Sequence, residues 1–337
     1  MKKILLSVFS VALLLTSINS TAQDDNNKNK RQRHEFVKEK NISKTYPSSG
    51  IKLSIENSFG NVKVTTWDKN EIKVDVHIEA SSSQQEMAQK MFDAISVSDK
   101  QQGNSIEFKT SINNKDGKSD NCKNCKTTMI IDYDVKVPAS VALEIENSFG
   151  DTELPDYAGA VSLTTKFGSL TTGSLGNAKK VAVEFGSASI RNIANLDATF
   201  KFSKIDIGNL SGKNNINLEF CNASEIKLDN NLSSLNLNES YSSVNIKPGN
   251  LSASYSVSTS FGNFVDRTTT GVKRTDTPDK YGPDSNKTFE GKSGSGAAKI
   301  EINSSFGNII LGEPTAEDIK HRDEKNKNKN KNKSVKI

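Results

Sequence analysis

The sequence predicts an all-β fold, a right-handed parallel β-solenoid of about nine short coils with one inserted helix. A repeated phrase is the first observation behind this prediction: residues 53–64 return in similar form at residues 143–154 and 300–311, each copy with Ser-Phe-Gly. The second observation is that apolar and polar residues alternate within each copy. A period of two residues is typical of a β-strand. Self-similarity at a short period indicates one supersecondary unit stacked many times.

Weaker copies of the phrase lie between these three, and an aromatic residue marks the centre of nearly every copy. We expect these aromatics to belong to the core of the repeat: Phe59, Phe149, Phe167, Phe185, Phe202, Tyr241, Phe261 and Phe306. Apolar pairs such as Ile205/Ile207 and Ile226/Leu228 follow, and from Leu170 onward they recur in steps of 17 to 21 residues before one longer gap. A unit of this size cannot bury its apolar face alone, so each coil needs neighbours above and below.

A β-sandwich is the alternative fold, since short strands separated by frequent turns are also typical of sandwiches. Two features favour the solenoid. The step between copies is nearly constant, and a Gly-Asn-Leu corner recurs at residues 208–210 and 249–251. Asn and Gly suit corners that need left-handed backbone angles, whereas stacked Val, Ile and Leu build interior ladders.

The first 22 residues resemble a secretory signal peptide. Lys2 and Lys3 precede the apolar run 4–15, and Ser-Thr-Ala at 20–22 suits cleavage before Gln23. The run is too short to span a membrane, so no transmembrane segment is predicted. Cleavage would lower the formal charge from +5 to +3. A nearly neutral chain gives no electrostatic argument for a nucleic-acid partner.

Polar segments flank the predicted solenoid domain, which covers residues 46–313. Residues 23–45 form a linker and residues 314–337 a Lys/Asn-rich tail, and both have little to bury, so we expect them to be disordered. The tail is either a solvated extension or an electrostatic contact with an anionic surface, and the composition favours the first.

Two stretches break the period, near residues 80–126 and 267–297. In the first, Ser83-Gln-Gln-Glu86 resembles a capping box and precedes Met87, Met91 and Phe92 at helical spacing. We expect this helix to cover an apolar end of the solenoid and to block edge-to-edge pairing there. The second stretch is rich in polar residues and predicts a loop with a short strand at residues 287–291.

Cys122-Lys-Asn-Cys125 is the one compact motif with its own chemistry. In an exported protein it predicts a local disulfide, and a free or metal-binding pair is the alternative. A structural zinc site needs four ligands, and Cys221 is the only other cysteine. Cys221 itself fits a buried apolar position. The sequence offers no convincing nucleophile, base or ligand set, so we predict no catalytic, cofactor-binding or metal-binding residues.

Tyr-Asp-Val-Lys-Val-Pro at residues 133–138, the phrase at 143–154 and the Phe-Gly units at 18-residue steps resemble one known family. This is the bacterial family of exported putative adhesins with a DUF4097-type domain, and the resemblance covers roughly residues 51–311. It implies a β-solenoid with adhesin-like binding. Members are also associated with envelope-stress operons, which implies a regulatory alternative.

These observations together predict a non-catalytic, exported envelope protein with a binding or scaffold role. The alternatives are a regulatory partner in an envelope-stress response and a carbohydrate-active β-helix enzyme. We expect no cofactor and no nucleic acid. The predicted partner is an unidentified envelope component, either a glycan or a protein, in the periplasm or at the cell surface.

Overall fold

A computed structural model describes residues 32–113, 124–278, 283–318 and 320. The described residues from Arg33 onward belong to one compact unit. The all-β class is confirmed, since strands account for most of the described chain. No described helix is long and apolar enough to cross a membrane. The predicted signal peptide, residues 1–22, lies outside the described residues.

Strands follow one another along the chain, with a helix of ten residues among them. The first half contains β1 (Phe36–Pro47), β2 (Lys52–Ser58), β3 (Val62–Thr66), β4 (Glu71–Ser82), α1 (Gln85–Ala94), β5 (Ile95–Gln102), β6 (Ser105–Ile112), β7 (Thr127–Val137), β8 (Ala142–Ser148), β9 (Thr152–Leu154), β10 (Tyr157–Lys166) and β11 (Ser169–Glu184). The second half contains β12 (Ser187–Ala194), β13 (Asp197–Lys201), β14 (Lys204–Glu219), β15 (Asn222–Ser240), β16 (Ser243–Lys247), β17 (Ala253–Ser260), β18 (Asn263–Asp266), β19 (Lys273–Arg274), β20 (Asn286–Lys292), β21 (Ala298–Ser305) and β22 (Asn308–Leu311).

The strands stack as rungs in two parallel ladders. Ladder A runs β6, β2, β8, β10, β11, β13, β14, β15, β21, β17. Ladder B runs β7, β3, β9, β11, β12, β14, β15, β16, β22, β18. Strands β11, β14 and β15 are long enough to take part in both. The chain therefore returns to pair with its own previous rung, which is what the repeated phrase predicts. The handedness of the coil stays a prediction.

Apolar residues of equal register form the interior. In ladder B, Ile190, Ile207, Ile226 and Ile246 pair in succession, and all four are buried. Stacking identical β-branched residues gives each rung the neighbours it needs. The core is thus a set of columns that run along the stack.

One predicted register is wrong. The pair Ile226/Leu228 was expected to occupy the positions of Ile205/Ile207, but Ala223 aligns with Ile205 and Ile226 aligns with Ile207. A β-bulge adds one residue between Ala223 and Ile226, which displaces the apolar alternation.

Antiparallel strands cover both ladders at one end of the stack and ladder A at the other. Beyond β7 lie β4 and then β1, beyond β6 lies β5, and beyond β17 lie β20 and β19. Strand β1 corrects the predicted disordered linker 23–45, because residues 36–45 are part of a strand. Its Ile42 and Tyr46 pack against the core, so this segment has apolar surface to bury. Reversing the strand direction ends the parallel repeat at these three places.

The stretch near 80–126 is more than an insertion. Strands β6 and β7 add a further rung to the two ladders below β2 and β3. Helix α1 packs against β1, β4 and β5 at this end. The predicted capping box does not form, because the hydroxyl of Ser83 accepts the backbone N–H of Lys126 at 3.1 Å. The hydroxyl of Ser82 accepts the N–H of the N-cap residue, Gln84, at 3.1 Å, and the helix has no side-chain cap.

At the other end the order in space departs from the order in sequence. The last rung of the chain, β21 and β22, lies between the β15–β16 rung and the β17–β18 rung. The chain therefore leaves a gap of one rung, makes the antiparallel excursion through β19 and β20, and returns to fill the gap. The predicted short strand at residues 287–291 lies within β20.

The predicted disordered tail, residues 314–337, begins too early. Residues 316–318 are helical. Asp318 accepts a hydrogen bond from Arg267 at 3.1 Å and one from the Thr315 N–H at 2.8 Å, which fixes this segment to the body. The Lys/Asn run itself lies outside the described residues.

Candidate functional site

The corner between ladder A and ladder B carries an aromatic residue on nine rungs of the described chain. In the order of the stack, the members are Phe59, Phe149, Phe167, Phe185, Phe202, Phe220, Tyr241, Phe306 and Phe261. We call this set the aromatic ridge. Every member has a left-handed backbone conformation, with φ between 50° and 65°.

The ridge overturns the expectation that these aromatics belong to the repeat core. Their exposed fractions lie between 40% and 59%, whereas the residues that form the core are below 9%. The physical reason is the corner. A left-handed residue turns the chain from one ladder to the next, and its side chain points away from the interior that the flanking strands enclose.

The rings stack face to face along the rod. Neighbouring centroids are 4.7–5.1 Å apart and the planes differ by 2–10°. Eight such steps make a ridge roughly 40 Å long, which follows the rung spacing of a β-ladder. Because each ring covers the face of the next, the edges of the rings are what solvent meets.

Backbone hydrogen bonds fix the ridge from rung to rung. The N–H of Phe167 donates to the carbonyl of Glu184 at 2.9 Å, and the N–H of Phe185 donates to that of Lys201 at 3.0 Å. The same bond to the next rung recurs at all ridge positions except the last, at 2.8–3.0 Å, and the N–H of Phe261 donates to the carbonyl of Ser285 at 2.7 Å. The ring positions are therefore set by the ladder, and a partner would meet a preorganised surface.

The residue after each aromatic explains the Phe-Gly pairs. A Cβ placed on Gly150, Gly168 or Gly186 would lie 1.8–2.0 Å from the carbonyl oxygen of the preceding rung's glycine. These glycines are thus required by close approach of backbones, not by their own φ. Three rungs replace Gly with Ser203, Cys221 or Ser242, and these side chains are buried.

In those three rungs the side-chain oxygen or sulfur atom of Ser203, Cys221 or Ser242 occupies the corner. The Ser242 hydroxyl accepts the backbone N–H of Cys221 at 2.9 Å, and the Cys221 thiol lies 3.2 Å from the carbonyl oxygen of Phe200. Burial raises the pKa of the Cys221 thiol.

Cys221 is free and buried, as expected. Cys125 is disulfide-bonded, and Cys122 lies outside the described residues.

Beneath the ridge, two residues before each aromatic, lies a buried column with polar members. Asn57 donates to Asn147 at 3.2 Å and to the carbonyl of Ile131 at 3.0 Å. In the C-terminal half the column contains Glu239, which accepts hydrogen bonds from the Ser304 hydroxyl and from the Ser242 N–H. Burial raises the pKa of Glu239 to about 7.

Charged residues flank the middle of the ridge on the ladder A side. Lys166, Glu184, Lys201 and Glu219 each directly precede a ridge aromatic, and all are partly exposed. Lys166 Nζ lies 3.9 Å from Glu184 Oε2, and Lys201 Nζ lies 2.9 Å from Glu219 Oε2. The apolar edge is therefore bordered by alternating charge.

The ridge is costly for the backbone. A bulky residue at positive φ is an outlier, and the left-handed region costs an L-residue roughly 1–2 kcal/mol. Stacking offsets part of this, at roughly 0.5–1.5 kcal/mol for each aromatic pair. Asn would adopt the same φ with less strain, as Asn195 does at a different corner with φ 56°. Local backbone preference thus does not explain why phenylalanine recurs here.

Sequence reasoning placed Phe220 inside a repeat but did not count it among the aromatics that mark the copies. Its rung has Cys221 in place of Gly and a bulge after Ala223, which together hide the phrase. The available signal was spacing, since Phe220 lies 18 residues after Phe202 and 21 before Tyr241.

Within the described residues, no group of three or more His, Cys, Asp or Glu side chains is placed to hold a metal ion.

Comparison with known proteins adds similar structures. No family model matches the chain, and no curated protein matches it. A putative adhesin from Bacteroides fragilis is similar at 14% identity and a TM-score of 0.36, covering 81% of this chain and 97% of its own. A putative cell adhesion protein from Clostridium sporogenes is similar at 12% identity and a TM-score of 0.25, covering 82% of this chain and 100% of its own.

Proposed function

We propose that this protein is a non-catalytic, exported envelope protein that binds or scaffolds another component through its repeated surface, in the manner of an adhesin. The aromatic ridge is the observation that carries this proposal. Nine strained aromatic residues are half exposed in one continuous row. Strain that recurs at exposed positions points to a function outside the fold.

The ridge has the properties of a binding surface. Contiguous exposed apolar surface on this scale marks interaction sites more often than ordinary protein surface. The rings are already fixed by the ladder, so binding would cost little additional ordering. Repetition also makes the surface multivalent, and weak contacts at single rungs would add along the rod.

The geometry restricts how a glycan would bind. Sugar rings pack on exposed aromatic faces, but in the ridge every face except the outer faces of the end rings, Phe59 and Phe261, is covered by the next ring. A glycan would instead meet ring edges and the polar outer positions of ladder A, where Asn217, Asn238 and Asn303 are hydrogen bonded in a row at 3.2 and 3.0 Å. A protein partner that buries apolar edges matches the ridge more closely.

The experiment is retention of the purified protein on envelope fragments. The test variant carries Phe167→Asn, Phe185→Asn and Phe202→Asn, which keep the left-handed backbone and remove the apolar edge. The control variant carries Thr171→Asn, Ser189→Asn and Asp206→Asn, on the outer face of ladder B in corresponding rungs. We expect the test variant to lose most retention and the control to keep it.

A second pair of conditions separates the ridge from the Lys/Asn run. Deleting residues 321–337 removes the basic segment, and raising the salt concentration screens its charge. Retention that survives both changes but depends on the three phenylalanines supports the proposal. Retention that follows only the tail, or metal-dependent cleavage of a polysaccharide in the same samples, contradicts it.

A further inference from the structure

The residues that directly precede the ridge aromatics form an ordered charge pattern, which we call the flanking row. In the order of the stack it consists of Ser58, Ser148, Lys166, Glu184, Lys201, Glu219, Ser240, Ser305 and Ser260. From Ser58 to Ser305 it contains two serines, an alternating run of four charges and two serines. When this eight-residue row is aligned with a second copy that runs in the opposite direction, Lys lies opposite Glu at all four charged positions. Ser lies opposite Ser at the other four.

We propose that the partner of the aromatic ridge is the ridge of a second copy of this chain, packed in the opposite direction. This inference rests on the proposed binding function of the ridge and names its occupant, so retention on envelope fragments would occur through copies of this chain that the fragments carry. In the register described, Lys166 of one copy faces Glu219 of the other, and Glu184 faces Lys201. Each contact occurs twice, as a two-fold axis requires.

The antiparallel direction of the second copy follows from symmetry. A two-fold axis perpendicular to both rods reverses one of them and keeps each flanking row beside its counterpart. A two-fold axis along the rods keeps them parallel, but it brings the flanking row against the opposite side of the partner's ridge. There Lys201 would face Lys204, which is a like-charge contact. The antiparallel arrangement is thus the one in which all four charges are paired.

The exposed area of the ridge is also large enough for a stable dimer interface. An aromatic side chain offers 150–250 Å² to burial, so eight rings that are about half exposed bring roughly 800 Å² per copy. A stable protein interface buries about 800 Å² on each partner. Its composition is suitable too, because the apolar strip lies at the centre and the charges border it. In this register the ring edge on each rung of one copy meets the ring edge on the opposite rung of the other copy.

Pairing within one chain is the competing explanation of the alternating charges. Lys166 already lies near Glu184, and Lys201 near Glu219, on adjacent rungs. The variant Lys166→Glu with Glu219→Lys separates the two explanations. It creates like-charge neighbours within the chain at both pairs, yet it restores opposite charges between antiparallel copies. The single variant Lys166→Glu disturbs both kinds of contact.

The experiment is sedimentation equilibrium of the purified full chain from micromolar to millimolar concentration. We expect the wild type to form dimers and Lys166→Glu to weaken dimerisation about tenfold or more, because two symmetric attractions become repulsions. The double variant should return to within about threefold of the wild type. Lys213→Glu makes the same charge change at an exposed site outside the ridge and should have no effect.

Crosslinking tests the direction. Ser148→Cys and Ser240→Cys lie at positions that face each other only between antiparallel copies. A mixture of the two variants should form an interchain disulfide on mild oxidation, and either variant alone should not. Cys221 is buried and does not compete.

The inference is overturned if the wild type stays monomeric throughout, if the double variant associates more weakly than the single one, or if either cysteine variant crosslinks alone as readily as the mixture does. The retention assay distinguishes this failure from that of the proposed function. A monomeric protein whose retention still depends on Phe167, Phe185 and Phe202 would keep the binding function and lose the second copy as occupant. Dimers combined with ridge-independent retention would contradict the proposed function instead.

Discussion

Phe200 and Phe202 are two residues apart on the same rung, and they have opposite environments. Phe200 is fully buried in ladder A, whereas Phe202 is 44% exposed with φ at 50°. Alternation along a straight strand would place both on the same face. The corner at Phe202 breaks that alternation. The same kind of residue thus serves the core at one position and the surface at the other.

The comparison separates two kinds of repetition in this chain. Inner columns repeat because each rung needs apolar neighbours, and this need acts on every stacked fold. The ridge repeats at positions where the backbone prefers Gly or Asn and where burial contributes only part of its usual stabilisation. Inner repetition is explained by stability, and outer repetition is explained by what the surface contacts.

The largest expected effect is at the inner position. Phe200→Ala should lower the free energy of unfolding by roughly 3–5 kcal/mol, because it leaves a cavity in the buried column. Denaturant titration with circular dichroism measures it. A loss below about 1 kcal/mol would mean that Phe200 does not occupy the core.

Glu239 gives the next effect, because it is a buried acid in the inner column. Its folded pKa of about 7 is above the ordinary value of 4.5, so the folded state holds the proton more tightly than the unfolded chain. Stability is therefore full below pH 4.5 and falls as pH rises from 4.5 to 7, by up to about 3 kcal/mol.

The variant Glu239→Gln tests this pH dependence. Gln is an isostere of the protonated acid and can accept from the Ser242 N–H while it donates to the Ser304 hydroxyl. We expect the variant to match the wild type at pH 4 and to exceed it by up to about 3 kcal/mol at pH 8. Denaturant titrations at both pH values measure the difference. Parallel pH profiles for the two proteins would contradict a buried, proton-binding Glu239.

Substitution of a glycine at the corner should lower the free energy of unfolding by a smaller amount. In Gly168→Ala the new Cβ would lie 2.0 Å from the carbonyl oxygen of Gly150, so adjacent rungs must separate. We expect a cost of roughly 1–3 kcal/mol. Gly176→Ala is the control, since its Cβ would meet no atom closer than 3.6 Å. Thermal unfolding of the two variants should differ clearly, and equal transitions would contradict the close approach at the corner.

The smallest expected effect is at the ridge itself. Phe202→Asn removes two stacking contacts but relieves left-handed strain, so the unfolding free energy should change by less than about 1 kcal/mol. The titration used for Phe200→Ala measures it under the same conditions. A cost comparable to that of Phe200→Ala would show that the ridge is part of the core after all.

The period and the inner columns could be predicted from the sequence, and the side on which the aromatics lie could not. Ile205 and Ile207 are buried as expected, because strand alternation directly determines their direction. Phe202 was assigned to the core because hydrophobicity is the usual sign of burial. The signal against it was the following Gly or Ser, which marks a corner where alternation stops.

The order of the rungs also could not be predicted. Because every rung carries the same kind of phrase, any rung can pair with any other as far as local sequence is concerned. The return of β21 and β22 between two earlier rungs depends on the length of the excursion through β19 and β20. The step of 45 residues indicated an excursion, but it did not indicate where the chain returns.

Hydroxyl-radical footprinting tests most directly the claim that the repeated aromatics form an exposed surface. The protein is labelled at a concentration where it is monomeric, and oxidation of each aromatic is quantified by mass spectrometry. We predict that ridge members such as Phe185 and Tyr241 are oxidised and that Phe108 and Phe200, both fully buried, are protected. Protection of the ridge to the same degree as Phe200 in the monomer would contradict the account.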